Sequence, residues 1–119
     1  MSFESHKLLG QVRPAGTGTA ESLVEVQAGH EVIVEEVVVC NTSAADANYS
    51  IYVDDDGDSY GAGMALFYSV ALAPNTSVQI QPFWSLNTAG GNIMVETETA
   101  DALTFTAFGR DIDLGENDR

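Results

Sequence analysis

The sequence predicts an all-β fold: a single jelly-roll-like β-sandwich domain of about eight short strands spanning residues 1–119. Two observations support this class. Apolar side chains recur at every second position in one run after another, which is the period of a half-buried strand. Turn signals rich in glycine, proline and asparagine separate the runs, and no window of a dozen residues carries the apolar stripe of a helix.

The predicted strands follow one another at short intervals. The alternating rows lie at 23–27, 49–53, 66–72, 77–84, 93–97 and 103–107. In two of these rows the apolar members that should share a face are Leu66, Tyr68, Val70 and Leu72, and Val78, Ile80, Pro82 and Trp84. Turns between strands are predicted at 14–16, 28–30, 56–57, 74–75 and 89–91.

The segment 31–41 (EVIVEEVVVCN) is predicted to be a central strand. From Val37 onward it is apolar on both faces, as expected of a strand flanked by neighbours and covered on two sides. Glu35 and Glu36 interrupt the alternation, which predicts a phase slip of the kind that a β-bulge produces.

The two ends of the chain are expected to lie outside the sandwich. Residues 1–8 are assigned to an N-terminal arm and residues 113–119 to a flexible acidic tail. The first ten residues (MSFESHKLLG) lack the apolar region of a secretory signal. The longest apolar run, at 37–40, is far shorter than the about 20 residues that span a bilayer.

The charge balance argues against two kinds of partner. The chain has 18 Asp and Glu against 4 Lys and Arg, a formal net charge of −14. Four cations cannot build a basic patch, so we expect neither nucleic-acid binding nor adsorption to an anionic membrane. The carboxylates are dispersed and Lys7 is the only lysine. This composition fits a protein of a high-salt cytoplasm or an ordinary acidic protein.

The inventory of reactive side chains predicts no enzyme. His6 and His30 are the only histidines, and neither lies beside a serine or cysteine in a nucleophile motif. One cysteine and two histidines in separate places do not supply a zinc ligand set. Cys40, inside the valine run, is predicted to be a small buried hydrophobe in a chain folded under reducing conditions.

One segment is dense in carboxylates. Asp54, Asp55, Asp56 and Asp58 surround Gly57 between two predicted strands. Their oxygens suit Ca²⁺ or another hard cation, with Asp54, Asp56 and Asp58 as candidate ligands, although the spacing does not match that of an EF-hand loop. The other interpretation is a solvated turn in which Asp and Gly supply the geometry. Apart from such a cation, no cofactor is predicted.

Two adjacent aromatic pairs mark candidate contact surfaces. Phe67 and Tyr68, and likewise Phe83 and Trp84, lie within predicted strands, so one member of each pair must point away from the core. These four residues and Phe3 of the arm are the predicted interface residues. The alternatives are a second layer covering that face, or a sugar-stacking site formed by Trp84 with the acidic loop.

Several short segments together resemble one group of proteins. They are Leu9-Gly10-Gln11, Pro14-Ala15, the strand–Ala-Gly-His–strand unit at 22–39, Val39-Cys40-Asn41, Ile51-Tyr52-Val53, Leu66-Phe67-Tyr68, Leu72-Ala73-Pro74-Asn75 and LTFTAFG at 103–109. From about residue 8 to 110 the chain resembles small virion structural proteins of tailed bacteriophages and archaeal viruses. Such proteins are head-decoration, tail-associated or fibre-associated components. The strong acidity departs from their usual composition and would suit a virus of a halophilic or marine host.

This resemblance implies a non-enzymatic assembly role and no catalytic residue. The chain would be made in the host cytoplasm and reside in the virion as a capsid decoration or cement protein. It would form a homo-oligomer, with a trimer favoured, and clamp subunits of the major capsid protein or other virion proteins. The alternatives are a tail- or fibre-associated virion protein and a carbohydrate- or receptor-binding β-sandwich module.

Overall fold

A computed structural model describes residues 6–54 and 60–115. Within these residues the chain forms nine strands and one short 3₁₀ turn at Ala62–Met64. The strands are β1 (His6–Val12), β2 (Glu21–Glu25), β3 (His30–Asn41), β4 (Ala47–Asp54), β5 (Ala65–Leu72), β6 (Ser77–Ile80), β7 (Trp84–Leu86), β8 (Asn92–Thr97) and β9 (Leu103–Asp113). The predicted all-β class is confirmed. No helix in the described part of the chain is long and apolar enough to cross a membrane.

The strands form two antiparallel sheets. The first sheet has the order β1-β9-β3-β6, and the short strand β7 also pairs with β3. The second sheet has the order β2-β8-β4-β5. Strands β1 and β3 belong to the first sheet, and β2 and β4 to the second. Strand β9 lies between β1 and β3, and β8 lies between β2 and β4. This strand order is the jelly-roll arrangement. The predicted jelly-roll-like sandwich is confirmed.

The core lies between the two sheets and is built from alternating positions of the longer strands. Its apolar members with 0% exposure are Val34, Val37, Val39, Ile51, Ile93, Val95, Leu103, Phe105 and Ala107. The Phe105 ring meets Tyr49 edge to face at a centroid distance of 6.1 Å, so the two sheets also contact each other through aromatic rings. Burying each large aliphatic side chain of this set contributes about 1.5–3 kcal/mol.

The central strand β3 contains the predicted phase slip. Its register against β9 shifts between Val34 and Glu36, and the extra residue lets both Val34 and Val37 face the core. Gly109 pairs with Val34 at this bulge. A Cβ atom on Gly109 would lie 2.0 Å from the backbone oxygen of Ile33, so the close approach of the two backbones requires glycine.

The strand predicted at 77–84 is instead two strands, β6 and β7, separated by residues 81–83. Pro82 has no backbone N–H to donate to a ladder, and Phe83 adopts a positive φ of 54°. The register against β3 accordingly gains one residue between Ile80 and Trp84. The predicted alternation of side chains nevertheless persists, because Ile80 and Trp84 pack against the core while Phe83 is exposed.

The row predicted for β5 is wrong in its first half. Leu66 and Tyr68 point outward, whereas Val70 and Leu72 pack toward the core. The cause is Ser69, which adopts a positive φ of 51° where the register of β5 against β4 shifts. This bulge changes the phase of the strand halfway along its length.

Two boundaries also differ from expectation. Residues 6–8, assigned to the arm, begin β1, and Leu8 pairs with Phe108 of β9. The sequence HKLLGQV shows no apolar alternation, so its pairing depends on β9 rather than on its own pattern. Asp113, assigned to the tail, ends β9, and the N–H of Leu114 donates to the oxygen of Gly29 at 2.9 Å.

Cys40 is half-exposed, which corrects its assignment as a buried hydrophobe. Its neighbours Val39 and Asn41 are fully buried and face the core. Because successive side chains of a strand point to opposite faces, Cys40 is placed on the outer face of the first sheet.

Candidate interaction surface

The two aromatic pairs each send one ring inward. Phe67 of β5 and Trp84 of β7 are half-buried and pack against the core. Their ring centroids lie 6.4 Å apart with an interplanar angle of 59°, and Phe67 also lies 6.4 Å from Tyr49. Since β5 is an edge strand of the second sheet and β7 an outer strand of the first, this contact closes one side of the sandwich.

The other ring of each pair points to solvent. Tyr68 is 60% exposed and Phe83 is 67% exposed. The expectation that one member of each pair leaves the core is therefore confirmed, and Tyr68 and Phe83 are the outward members. Phe3, the fifth predicted interface residue, lies outside the described residues.

The outer face of the second sheet carries an aromatic group that the sequence analysis missed. Tyr52, only 3% exposed, lies between Tyr60 and Tyr68, with ring centroids at 5.2 and 6.4 Å. We call these three residues the tyrosine cluster. The sequence did carry a signal for this cluster. Tyr52 follows the core residue Ile51 and therefore points to the opposite face, yet it has a large apolar ring where a polar side chain is expected.

Hydrogen bonds hold two members of the tyrosine cluster in place. The Tyr52 hydroxyl donates to Glu96 Oε1 at 2.6 Å, and the Tyr60 hydroxyl accepts from the N–H of Ala20 at 3.1 Å. Burial of its hydroxyl, together with the hydrogen bond to the Glu96 carboxylate, raises the pKa of Tyr52 to about 12. Tyr52 is therefore a neutral hydrogen-bond donor throughout the physiological range.

The position of Tyr68 depends on the bulge next to it. The N–H of Ser69 donates to Ser50 Oγ at 2.9 Å, and the Ser69 hydroxyl donates to Glu98 Oε2 at 2.5 Å. Asn48 Nδ2 also donates to Glu98 Oε1, at 3.3 Å. These bonds stabilise the positive φ of Ser69 and thereby hold Tyr68 on the outer face, beside the exposed Leu66.

Charge is distributed unequally between the sheets. Among the described residues, Lys7, Arg13 and Arg110 all lie on or beside strands of the first sheet. Arg110 Nε donates to Glu35 Oε2 at 2.9 Å, and His6 Nε2 lies 3.2 Å from Glu35 Oε1. Three of the four strands of the second sheet carry a carboxylate, and none of the four carries a lysine, arginine or histidine.

The described side-chain contacts of both histidines are with carboxylates. His30 Nδ1 lies 2.7 Å from Asp111 Oδ1, and His6 contacts Glu35. Each histidine thus takes part in a polar pair of the first sheet rather than in a contact with a hydroxyl or thiol.

The candidate cation ligands are described only in part. Asp54 ends β4 and is buried on the outer face of the second sheet, whereas Asp56 and Asp58 lie outside the described residues. Trp84 packs between the sheets, so within the described chain it does not share a surface with Asp54. In the ranges 6–54 and 60–115 no three His, Cys, Asp or Glu side chains are grouped to hold a metal.

Solved structures of a viral particle and of viral capsid and coat proteins are similar to this chain. A chain of the T13 particle of infectious bursal disease virus has a TM-score of 0.55 at 10% identity, covering 93% of this chain and 30% of that chain. A pentameric capsid protein from metagenomic phage sequences has a TM-score of 0.42 at 15% identity, covering 91% and 62%. The coat protein of tobacco streak virus has a TM-score of 0.45 at 9% identity, covering 94% and 84%.

These likenesses concern the fold. This chain spans about a third of the length of the infectious bursal disease virus chain. No protein-family model and no curated protein matches the sequence.

Proposed function

We propose that this protein is a non-enzymatic structural component of a virion. The observation that carries the proposal is the jelly-roll sandwich, whose fold is similar over 93% of the chain to a chain of a virus particle at a TM-score of 0.55. Jelly rolls also occur in other classes of protein, so the fold supports this role together with the outward aromatic residues and the strong acidity.

The particular role that we propose is that of a capsid decoration protein. Made in the host cytoplasm, it would remain dispersed through the repulsion of its net charge of −14 until it meets the major capsid protein or another virion protein. A homo-oligomer, with a trimer favoured, would repeat a small contact surface around a symmetry axis. Several weak contacts would then add through effective concentration.

We assign the contacts to the two outward aromatic side chains. Tyr68 and Phe83 would be buried against a partner, and Phe67 and Trp84 would hold the two strand edges from which they project. Rigid aromatic side chains with few rotatable bonds are favoured at the centres of interfaces. Phe3 remains a proposed contact of the N-terminal arm.

The first experiment measures the mass of the protein in solution by light scattering, at low salt and in molar KCl. We expect a closed oligomer in molar KCl, where salt screens the repulsion between copies. Phe83→Ala and Tyr68→Ala should shift the mass toward the monomer. Leu8→Ala removes a similarly exposed side chain from the outer face of the first sheet and should leave the mass unchanged.

Two outcomes of this experiment would contradict the proposal in different places. A folded monomer at every salt and protein concentration would refute self-association. A mass that falls with Leu8→Ala but not with Phe83→Ala or Tyr68→Ala would refute the assignment of the contact surface.

The proposed location of the protein in the virion is tested on virus particles purified from a source whose nucleic acid encodes this sequence. Mass spectrometry should find its peptides in the particle fraction, and gold-labelled antibodies raised against the purified protein should decorate the capsid. Labelling of the tail would refute the decoration role but support a virion protein. Peptides confined to the particle-free fraction would refute the virion role altogether.

A further inference from the structure

Asn92, the first residue of β8, presents a buried oxygen without a described partner. The residue is 6% exposed, and its Nδ2 donates to the backbone oxygen of Gly90 at 3.1 Å. Its Oδ1 accepts no hydrogen bond from any residue that the structure describes. A buried acceptor in this state is costly, and a bound ion or water is one of the few physical reasons for keeping it.

The neighbours of Asn92 in the sheet are both acidic. Glu25 of β2 is its partner on one side and Asp54 of β4 on the other. The next residue of β8, Ile93, is fully buried in the core, so Asn92 faces outward, and its register partners share that face. Directly opposed side chains start about 4.5–5.5 Å apart at Cβ, which is close enough for one ion to contact neighbouring members.

The atoms that the Glu25–Asn92–Asp54 row offers as metal ligands are all oxygens. Two carboxylates and one amide oxygen form the kind of ligand set that Ca²⁺ takes, completed by water or backbone oxygens to a total of about six to eight. The strands of the second sheet contain no lysine or arginine.

We propose that the Glu25–Asn92–Asp54 row binds Ca²⁺, with Asn92 Oδ1 as a neutral ligand between the two carboxylates. The ion would tie β2, β8 and β4 together at one end of the second sheet. This site is independent of the proposed virion role, and the side chains that define it lie within the described residues.

The test is a calorimetric titration of the protein with CaCl₂, together with melting curves in CaCl₂, in MgCl₂ and in NaCl of equal ionic strength. We expect saturable Ca²⁺ binding, and a rise in Tm larger in CaCl₂ than in either other salt. Glu25→Gln removes an exposed carboxylate and should weaken Ca²⁺ binding on the order of tenfold while the protein still folds.

The matched control is Glu21→Gln, which makes the same charge change on the same strand outside the row. Its Ca²⁺ affinity should remain that of the parent. A second variant, Asn92→Asp, adds a carboxylate at the centre of the row. It should bind Ca²⁺ more tightly than the parent and melt at a lower temperature when Ca²⁺ is removed by a chelator.

Three results would overturn the proposal. One is the absence of saturable binding at millimolar CaCl₂. Another is an equal rise in Tm in NaCl, which would show that salt acts only by screening. The third is an equal loss of affinity in Glu25→Gln and Glu21→Gln, which would show that Ca²⁺ responds to net charge and not to this row.

Discussion

On the outer face of the first sheet, Glu35 is paired with Arg110 and His6, whereas on the outer face of the second sheet Tyr52 lies buried between Tyr60 and Tyr68. The first arrangement consists of partly exposed charges, which contribute little to stability. The second adds an aromatic layer outside the sandwich core. Strand β4 is buried on both faces, so it belongs both to the core between the sheets and to this outer aromatic layer.

The two sheets also accommodate their bulges differently. The bulge of β3 in the first sheet depends on the missing side chain of Gly109, whereas the bulge of β5 in the second depends on hydrogen bonds made by Ser69. A backbone contact cannot relax by a change of rotamer, but a hydrogen-bonded side chain can. Substitutions should therefore be most damaging in the first sheet at its backbone and in the second at its outer side chains.

The largest effect is expected for Gly109→Ala. Its Cβ would meet the backbone oxygen of Ile33, and the strain should lower the free energy of unfolding by at least about 3 kcal/mol. Urea denaturation followed by circular dichroism measures this loss. Gly63→Ala, where a Cβ meets no atom within 4 Å, is the control and should retain the parent midpoint. A normal midpoint for Gly109→Ala would refute the close approach of β3 and β9.

The protein should lose stability at alkaline pH because of Tyr52 in the second sheet. Because the pKa of Tyr52 is about 12 in the folded state and 10.0 in the unfolded chain, the unfolded chain releases its proton first as the pH rises. The stabilisation is complete below pH 10 and is lost as the pH approaches 12, by about 2–3 kcal/mol in total. Urea midpoints measured at increasing pH test the slope.

Tyr52→Phe is the control for this pH dependence and should flatten the curve above pH 10. Burial also raises the pKa of Tyr49, so part of the slope should remain in this variant. An unchanged slope in Tyr52→Phe would assign the alkaline loss to other groups.

A smaller effect is expected for Tyr52→Phe at neutral pH. The ring and its contacts with Tyr60 and Tyr68 are kept, but the hydrogen bond to the Glu96 carboxylate is lost, at a cost of about 1–2 kcal/mol. Tyr68→Phe removes a hydroxyl from an exposed ring and should change the free energy of unfolding by less than about 0.5 kcal/mol. Equal losses in the two variants would show that the Tyr52 hydrogen bond has no special role.

The smallest effect is expected for Glu35→Gln. The ion pair with Arg110 is partly exposed, so its loss should cost less than about 1 kcal/mol. The difference from the parent should shrink further in molar KCl, where charges are screened. A loss of several kcal/mol that persists in high salt would make the outer face of the first sheet as important as that of the second.

The sequence predicted those features that a single strand encodes. The alternation around Val37 and Val39 identified the central strand, and the pair Glu35–Glu36 located its bulge, because both signals are local. Ser69 escaped prediction since its positive φ depends on bonds to residues of other strands. Side-chain period alone cannot foresee a phase change that distant hydrogen bonds stabilise.

For the candidate sites, too, the sequence predicted only the features that lie within one strand. Alternation correctly required one outward ring in each aromatic pair, but it could not tell that Tyr68 would join Tyr52 in a cluster. The acidic loop drew attention to Asp54, whereas its neighbour Asn92 comes from a strand far along the chain. Strand order and register bring Tyr68 beside Tyr52 and Asn92 beside Asp54, and neither can be predicted from the composition of a single segment.

The antiparallel pairing of β1 with β9 also determines how the sandwich responds to tension. His6 at the start of β1 lies opposite Arg110 near the end of β9, and β1 has no other partner in its sheet. A force that separates these two residues loads the outermost hydrogen bonds of the ladder first, and the residue pairs then separate one after another. The same strand pulled along its length would load all its hydrogen bonds together. At this edge the molecule is thus mechanically anisotropic, and β1 should separate from β9 at a lower force when peeled than when pulled along its length.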